Sequence, residues 1–228
     1  LSSELENSGT PDIIGFSNYL WDLELSLAFA RIIKEISPKT ITIFGGPNYP
    51  VIATEQEIFL RSHPEIDFYV KREGELAFAN LVTALVNVDL NKNAIKKELP
   101  SVHFIDNNGN AVLTETIERI KDLTEIPSPY LTGKMDEFFD GKFQPILQTN
   151  RGCPFSCTFC VEGELYYNKV YHNSQEKVDS ELDYIGKKME GVRKKGGGNN
   201  LLIVDSNFGM FNEDKGTCES IARCQDEY

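Results

Sequence analysis

An α/β fold with a parallel sheet, followed by the opening of a second α/β unit, is what the sequence predicts. Short apolar runs of about five residues alternate with stretches of helical periodicity ten or more residues long, the pattern of βαβ units. Glycine- and proline-containing turns punctuate the runs, and after residue 144 the strand–helix–strand order starts again.

Asp12-Ile13-Ile14-Gly15-Phe16-Ser17 is the first run and ends in small residues. Over 22–36, Leu23, Leu27, Ala30, Ile33 and Ile36 recur at helical spacing, and Pro38 closes that helix. Thr40-Ile41-Thr42-Ile43-Phe44 is a β-branched strand punctuated by Gly45-Gly46-Pro47. A helix over 51–61, a strand at 67–70 and a helix over 75–86 follow. Right-handed crossovers place the Ser17, Gly45-Gly46-Pro47 and Glu73-Gly74-Glu75 turns along one edge, where open α/β sheets bind ligands. Val102-His103-Phe104-Ile105 and Ala111-Val112-Leu113 flank a polar loop and predict a hairpin. Ile126-Pro127-Ser128-Pro129-Tyr130 is extended, because each proline disfavours helix at the residue before it. A strand at 145–148 leads into a cysteine cluster. A helix over 175–189 then ends in Arg193, Lys194, Lys195 and Gly196-Gly197-Gly198, and 201–204 is a buried strand. The triple glycine lacks the Lys-Ser/Thr of a phosphate loop and precedes a strand, so it is read as a linker. The expected divisions are 1–90, a hairpin and linker region over 91–143, and a third section over 144–228.

The hydrophobic and charged fractions are those of a soluble globular protein. A net charge of −12 argues against sequence-independent binding to nucleic acid or to an anionic membrane surface. No apolar stretch approaches bilayer length and no signal pattern opens the chain. The expected setting is cytoplasmic, with a small molecule or a protein as partner. The chain begins at Leu1 and ends at Tyr228 just after a new helical pattern starts, so it is read as a piece of a longer one.

Of five cysteines, Cys153, Cys157 and Cys160 fall within eight residues. In a reducing compartment that reads as a metal-ligand set rather than a disulfide framework. A zinc site completed by His172 or Cys218 and an ordinary electron-transfer cluster stand as alternatives. Zinc sites, however, pair their cysteines in two knuckles, and no fourth cysteine here has cluster spacing. Cys218 and Cys224 lie in an expected helix and read as free thiols. Three thiolates on a cubane leave one iron for an outside ligand.

Arg151-Gly152-Cys153-Pro154-Phe155-Ser156-Cys157-Thr158-Phe159-Cys160, directly after a strand, resembles the radical S-adenosylmethionine (SAM) superfamily. The resemblance implies a [4Fe-4S] cluster on Cys153, Cys157 and Cys160, with SAM chelated at the open iron. It implies reductive cleavage to a 5′-deoxyadenosyl radical, Phe159 beside the adenine, and an electron donor such as flavodoxin or ferredoxin. Gly152 and Pro154 help the loop bend away from the strand.

Ile14-Gly15-Phe16-Ser17, Ile43-Phe44-Gly45-Gly46-Pro47 and Arg72-Glu73-Gly74-Glu75 are similar, in order and spacing, to the cobalamin-binding domain that precedes many radical SAM barrels. The 126–129 linker and Asp205-Ser206-Asn207-Phe208 look like the same family. This resemblance implies an incomplete Rossmann-like cobalamin domain and then the start of a radical SAM (β/α) partial barrel. Ser17, Gly45 and Gly46 would approach the cofactor closely, and Asp205 would contact SAM or substrate. The alternatives are tight strand-to-helix turns for the glycines, a helix N-terminus for Glu73 and Glu75, and a solvated turn or helix cap for Asp205. One departure is the absence of a DxHxxG motif for an axial histidine; His63, His103 and His172 lie elsewhere. A full barrel takes about 200 residues or more and only about 85 follow residue 144, so the barrel is expected to be incomplete.

The function these resemblances imply is SAM cleavage at the cluster with cobalamin-dependent methyl transfer to an unactivated carbon or phosphorus centre. The alternatives are a non-methylating radical rearrangement, cyclisation or sulfur insertion, and a non-catalytic zinc or iron–sulfur module.

Overall fold

The computed structural model describes residues 9–95 and 99–228, and the chain divides into two compact units, Leu1–Arg119 and Ile120–Tyr228. In the first, β1 (Ile13–Ser17), β2 (Ile41–Gly45) and β3 (Phe68–Val70) are parallel, joined through α1 (Leu23–Ile36) and α2 (Ala53–Ser62). α3 (Glu75–Val86) then leads to β4 (Val102–Ile105) and β5 (Ala111–Val112), which continue the sheet antiparallel, in the order β1-β2-β3-β4-β5. The hairpin expected in a separate 91–143 region is therefore part of the first sheet. Tyr69 pairs with His103 across β3 and β4.

β2 is buried at Ile41, Thr42, Ile43 and Phe44, as a central strand covered on both faces must be. On one face α1 and α2 pack Leu27, Ala30 and Leu60 against Phe44 and Tyr69; on the other α3 packs Ala77, Leu81 and Leu85 against Ile43, Phe68 and Val102. Each such Leu, Ile or Phe contributes about 1.5–3 kcal/mol by leaving water. Ile36, predicted to face the core, is 53% exposed because it falls on the last residue of α1.

In the second unit the predicted 145–148 strand is confined to Ile146–Leu147, and a second short strand follows it. β6 (Ile146–Leu147) pairs parallel with β9 (Leu202–Ile203), and β7 (Asn150–Arg151) pairs antiparallel with β8 (Tyr171–His172). α4 (Gln175–Lys194) is capped by the Ser174 hydroxyl, which accepts from the Lys177 amide at 3.2 Å. It runs past its predicted end through Arg193 and Lys194, since cations favour a helix C-terminus, and it stops before Gly196 at φ +82°. α5 (Glu213–Glu227) packs beside it, burying Val178, Leu182 and Cys224 with Leu147. The extended 120–130 segment is fastened to this unit: Lys177 Nζ donates to the carbonyls of Leu123 (2.8 Å) and Ile126 (2.7 Å), and the Tyr130 hydroxyl donates to that of Ile146.

Among the described residues no helix is long and apolar enough to cross a membrane.

Candidate functional site

The C-terminal ends of β1, β2 and β3 open onto a cleft of about 390 Å³. Its lining includes Gly15, Ser17, Gly45, Gly46, Arg72, Gly74 and Phe78, so all three turns singled out in the sequence meet there. At two of the glycines neighbouring backbone lies close. A Cβ on Gly46, which sits at φ +135°, would fall 2.5 Å from the Asn18 carbonyl oxygen. One on Gly45 would lie 3.4 Å from the Val70 carbonyl oxygen. Gly15 differs, since a Cβ there meets nothing within 4 Å and would project into open space. The Ser17 hydroxyl donates to Asp22 Oδ2 at 2.6 Å. Arg72 adopts φ +68°, an uncommon conformation for a non-glycine residue. Glu73 is committed to the fold: its carboxylate accepts from Arg119 Nε at 2.7 Å, with both side chains largely buried.

Behind the cleft lies a polar lock that periodicity did not reveal. Asn18 is fully buried; its Nδ2 donates to the Asn48 carbonyl (2.6 Å) and to the Tyr69 hydroxyl (2.9 Å). That hydroxyl donates in turn to the Gly46 carbonyl at 2.9 Å. Tyr49 stacks on Tyr69 with ring centroids 3.8 Å apart, and its hydroxyl lies 3.2 Å from His103 Nδ1. His103 Nε2 is 3.2 Å from the Thr114 carbonyl, an acceptor only, so the proton resides on Nε2 and Tyr49 donates to Nδ1. Burial, reinforced by Lys71, pushes the His103 imidazole down to about 4 against the weaker opposing effect of the Thr114 bond. Burial likewise raises both tyrosine hydroxyls far above their ordinary range. His103 is thus a neutral core residue. His63 caps α2 beside Phe59, and no histidine is among the residues lining the cleft.

Just beyond β1, Tyr19 and Trp21 stack with centroids 4.9 Å apart, while Leu20 and Trp21 are 83% and 81% exposed. The aromatic run after a strand-ending serine was the available signal for this apolar platform.

The cysteines occupy the loop between β7 and β8. At its entry Gly152 has φ +113°, and a Cβ there would fall 2.4 Å from the Lys169 carbonyl oxygen, so the position requires glycine. The Cys153 amide donates to Tyr167 O (2.9 Å), that of Cys160 to Cys157 O (3.1 Å), and that of Gly163 to Cys160 O (3.0 Å). Gly163, unremarked in the sequence, packs on the Cys157 peptide so closely that a Cβ would lie 2.2 Å from its carbonyl oxygen. This hydrogen-bonded frame leaves Cys157 and Cys160 exposed and Cys153 half-buried, with Phe159 92% exposed beside them. Among the described residues no three His, Cys, Asp or Glu side chains converge as around a single ion. Three thiols spread on one solvent-facing loop fit a cubane, which takes its thiolates on separate irons. Cys218 and Cys224 are free; burial and a contact to Asp183 push the Cys224 thiol up to about 11, where it is inert.

Asp205, just beyond β9, does not present its carboxylate to an open site. Oδ1 accepts from the amides of Thr149 (2.7 Å) and Asn150 (3.2 Å); Oδ2 accepts from the Thr149 hydroxyl and from Asn150 Nδ2 (3.1 Å). The next residue, Ser206, donates its hydroxyl to Glu162.

Residues 3–82 match the family described as B12 binding domain. Over 223 residues the chain is 28% identical to the cobalamin-dependent radical SAM methyltransferase TokK of Streptomyces tokunonensis, covering 95% of this chain and 30% of that protein. The fold superposes on the cobalamin-dependent SAM radical enzyme OxsB, solved with aqua-cobalamin and SAM, at a TM-score of 0.68 and 20% identity, over 100% of this chain and 30% of that one. It also superposes on the radical SAM methyltransferase TsrM of Kitasatospora setae, solved with cobalamin and a [4Fe-4S] cluster, at 0.67 and 16% identity, over 99% and 44%. The chain spans about a third of the length of the curated relatives it matches.

Proposed function

We propose, from the match of residues 3–82 to the B12 binding domain family, that the chain is the cofactor-binding part of a cobalamin-dependent radical SAM methyltransferase. The observation that carries this reading is the pairing, in one chain, of that domain with a framed loop exposing three thiols at CxxxCxxC spacing.

The cleft at the ends of β1–β3 receives cobalamin, with Ser17, Gly45 and Gly46 at its edge and the open space over Gly15 accommodating the ligand. No residue lining the cleft is a histidine, so the groups that would hold cobalamin there are the Ser17, Gly45 and Gly46 edge and the neighbouring Arg72 and Phe78. Cys153, Cys157 and Cys160 hold the cluster, and Phe159 provides an apolar surface for the adenine of SAM. When bound, the cluster supplies the electron that cleaves SAM, and cobalamin supplies the methyl group for an unactivated centre of a small-molecule substrate. The chain's own residues frame the thiols and hold their geometry before any cofactor arrives, which limits reorganisation on loading. Exposed thiols and a low-potential electron donor such as flavodoxin or ferredoxin fit the cytoplasm.

Anaerobic reconstitution tests this. Near four irons and four sulfides per chain, a spectral change on adding SAM, loss of iron in C153A, C157A or C160A, and retention of cobalamin through gel filtration are expected. Stoichiometric zinc without sulfide, or full iron in any of the three variants, overturns the cluster assignment. With the full-length enzyme, a product heavier by one methyl group is expected, and an isomerised or cyclised product overturns the methyl-transfer assignment.

A further inference from the structure

We propose that the Asp205-Ser206 turn is a clasp that positions the cysteine loop, with Asp205 acting as a positioning residue. The inference rests on the reading of Cys153, Cys157 and Cys160 as cluster ligands.

The geometry is specific to the two ends of that loop. Upstream, four donors from Thr149 and Asn150 converge on the single carboxylate of Asp205, filling both oxygens. Asn150 and Arg151 form β7, and the next two residues are Gly152, at a φ open to glycine, and the first cysteine. Downstream, Ser206 bonds Glu162, two residues beyond the last cysteine. Consecutive residues of one turn thus grip the chain before Cys153 and after Cys160.

The chemistry explains why a carboxylate stands at 205. Two of its donors are main-chain amides, that of Thr149 between β6 and β7 and that of Asn150 at the first residue of β7. A carboxylate offers acceptors on both oxygens, whereas an amide side chain would turn a donor towards one pair of N–H or O–H groups. Replacing it leaves partly buried donors unpaired, and the nearest relaxation is movement of 149–152, which carries the first thiol with it. Thr149 and Asn150 are themselves buried, so the movement cannot be absorbed by solvent.

The test uses the full chain with its cluster reconstituted. In D205N and in S206A, transfer of iron to a chelator is expected to be about tenfold faster than in wild type, the scale seen when an outer partner of a metal ligand is lost. The reduced-cluster electron paramagnetic resonance spectrum is expected to change in D205N, and D205E should restore part of the slow transfer. L182A, which destabilises the same unit through its core, should melt earlier while keeping the wild-type spectrum. Wild-type transfer rates in both D205N and S206A overturn the clasp, and so does an L182A that matches D205N in both rate and spectrum. Ser206 is exposed, so S206A decides the matter if D205N does not fold. A wild-type chain that takes up no cluster at all overturns instead the cluster reading on which the clasp depends.

Discussion

His103 makes the stability of the first unit depend on pH in a calculable way. Its imidazole is fully buried, neutral, and held down to about 4 against an ordinary value of 6.5. The native state therefore binds a proton less readily than the unfolded state. Above pH 6.5 both states carry the neutral ring and the contribution is complete. Between 6.5 and about 4 the unfolded chain is protonated first, so stability falls with pH and stops falling below about 4. The full difference corresponds to about 3 kcal/mol, of which about 2.5 kcal/mol is gone by pH 4.5. In H103Q the amide keeps a donor for Thr114 and an acceptor for Tyr49 but does not titrate. Hydrogen exchange of β2 amides in graded urea, at pH 7.5 and 4.5, isolates this unit from the rest of the chain. Wild type should lose about 2–3 kcal/mol more than H103Q over that interval. Equal losses in the two proteins would refute the buried neutral histidine and the Tyr49–His103–Thr114 chain with it.

The other predictions concern glycines. G46A should unfold the first unit or lower its stability by more than about 4 kcal/mol, because the new methyl meets the Asn18 backbone at a φ that alanine avoids; thermal melting reads this. G15A should melt at or above the wild-type temperature, by the ~0.5–1 kcal/mol that alanine gains over glycine in a strand, while G15V binds cobalamin at least about tenfold more weakly by titration. G163A should cost most of the iron uptake and leave β2 exchange unchanged, since its clash is with the Cys157 peptide; normal iron loading would contradict the framed loop.

The strands and helices that carry the first unit were legible because each declares itself locally. β2 is apolar and β-branched on both faces, and α1 repeats Leu27, Ala30 and Ile33 at helical spacing. The cysteine spacing was equally plain. What escaped notice is non-local. The hairpin read correctly as a hairpin, but its attachment to β3 depends on Tyr69 meeting His103 across 34 positions of chain, which no window of sequence reports. Asn18 is one polar residue in an exposed-looking loop, and only the convergence of Gly46, Asn48 and Tyr69 makes it a lock. Asp205 follows the strand expected over 201–204, which is β9. Its partners at 149 and 150 emerge only when β6 and β9 are paired.

The glycines show why a family-like turn is not in itself a ligand contact. Gly46, Gly152 and Gly163 all lie in segments that a sequence reader would assign to cofactors, yet in each the missing side chain makes room for the chain's own carbonyl, within 2.5 Å of where a Cβ would be. Their smallness is consumed by the fold, and substituting them tests folding before it tests binding. Gly15 carries the opposite logic. It sits mid-strand, where glycine weakens the backbone, at a position with no neighbour to accommodate. Nothing in the fold requires the absence of its side chain, and the space it keeps open belongs to the cleft. A binding site built at strand ends thus uses two kinds of glycine, one that lets the backbone close on itself and one that keeps the cavity clear. Only the second kind separates affinity from stability when mutated. If G15V instead destabilised the unbound chain as severely as G46A, the cleft would be a packing gap rather than a place for a ligand.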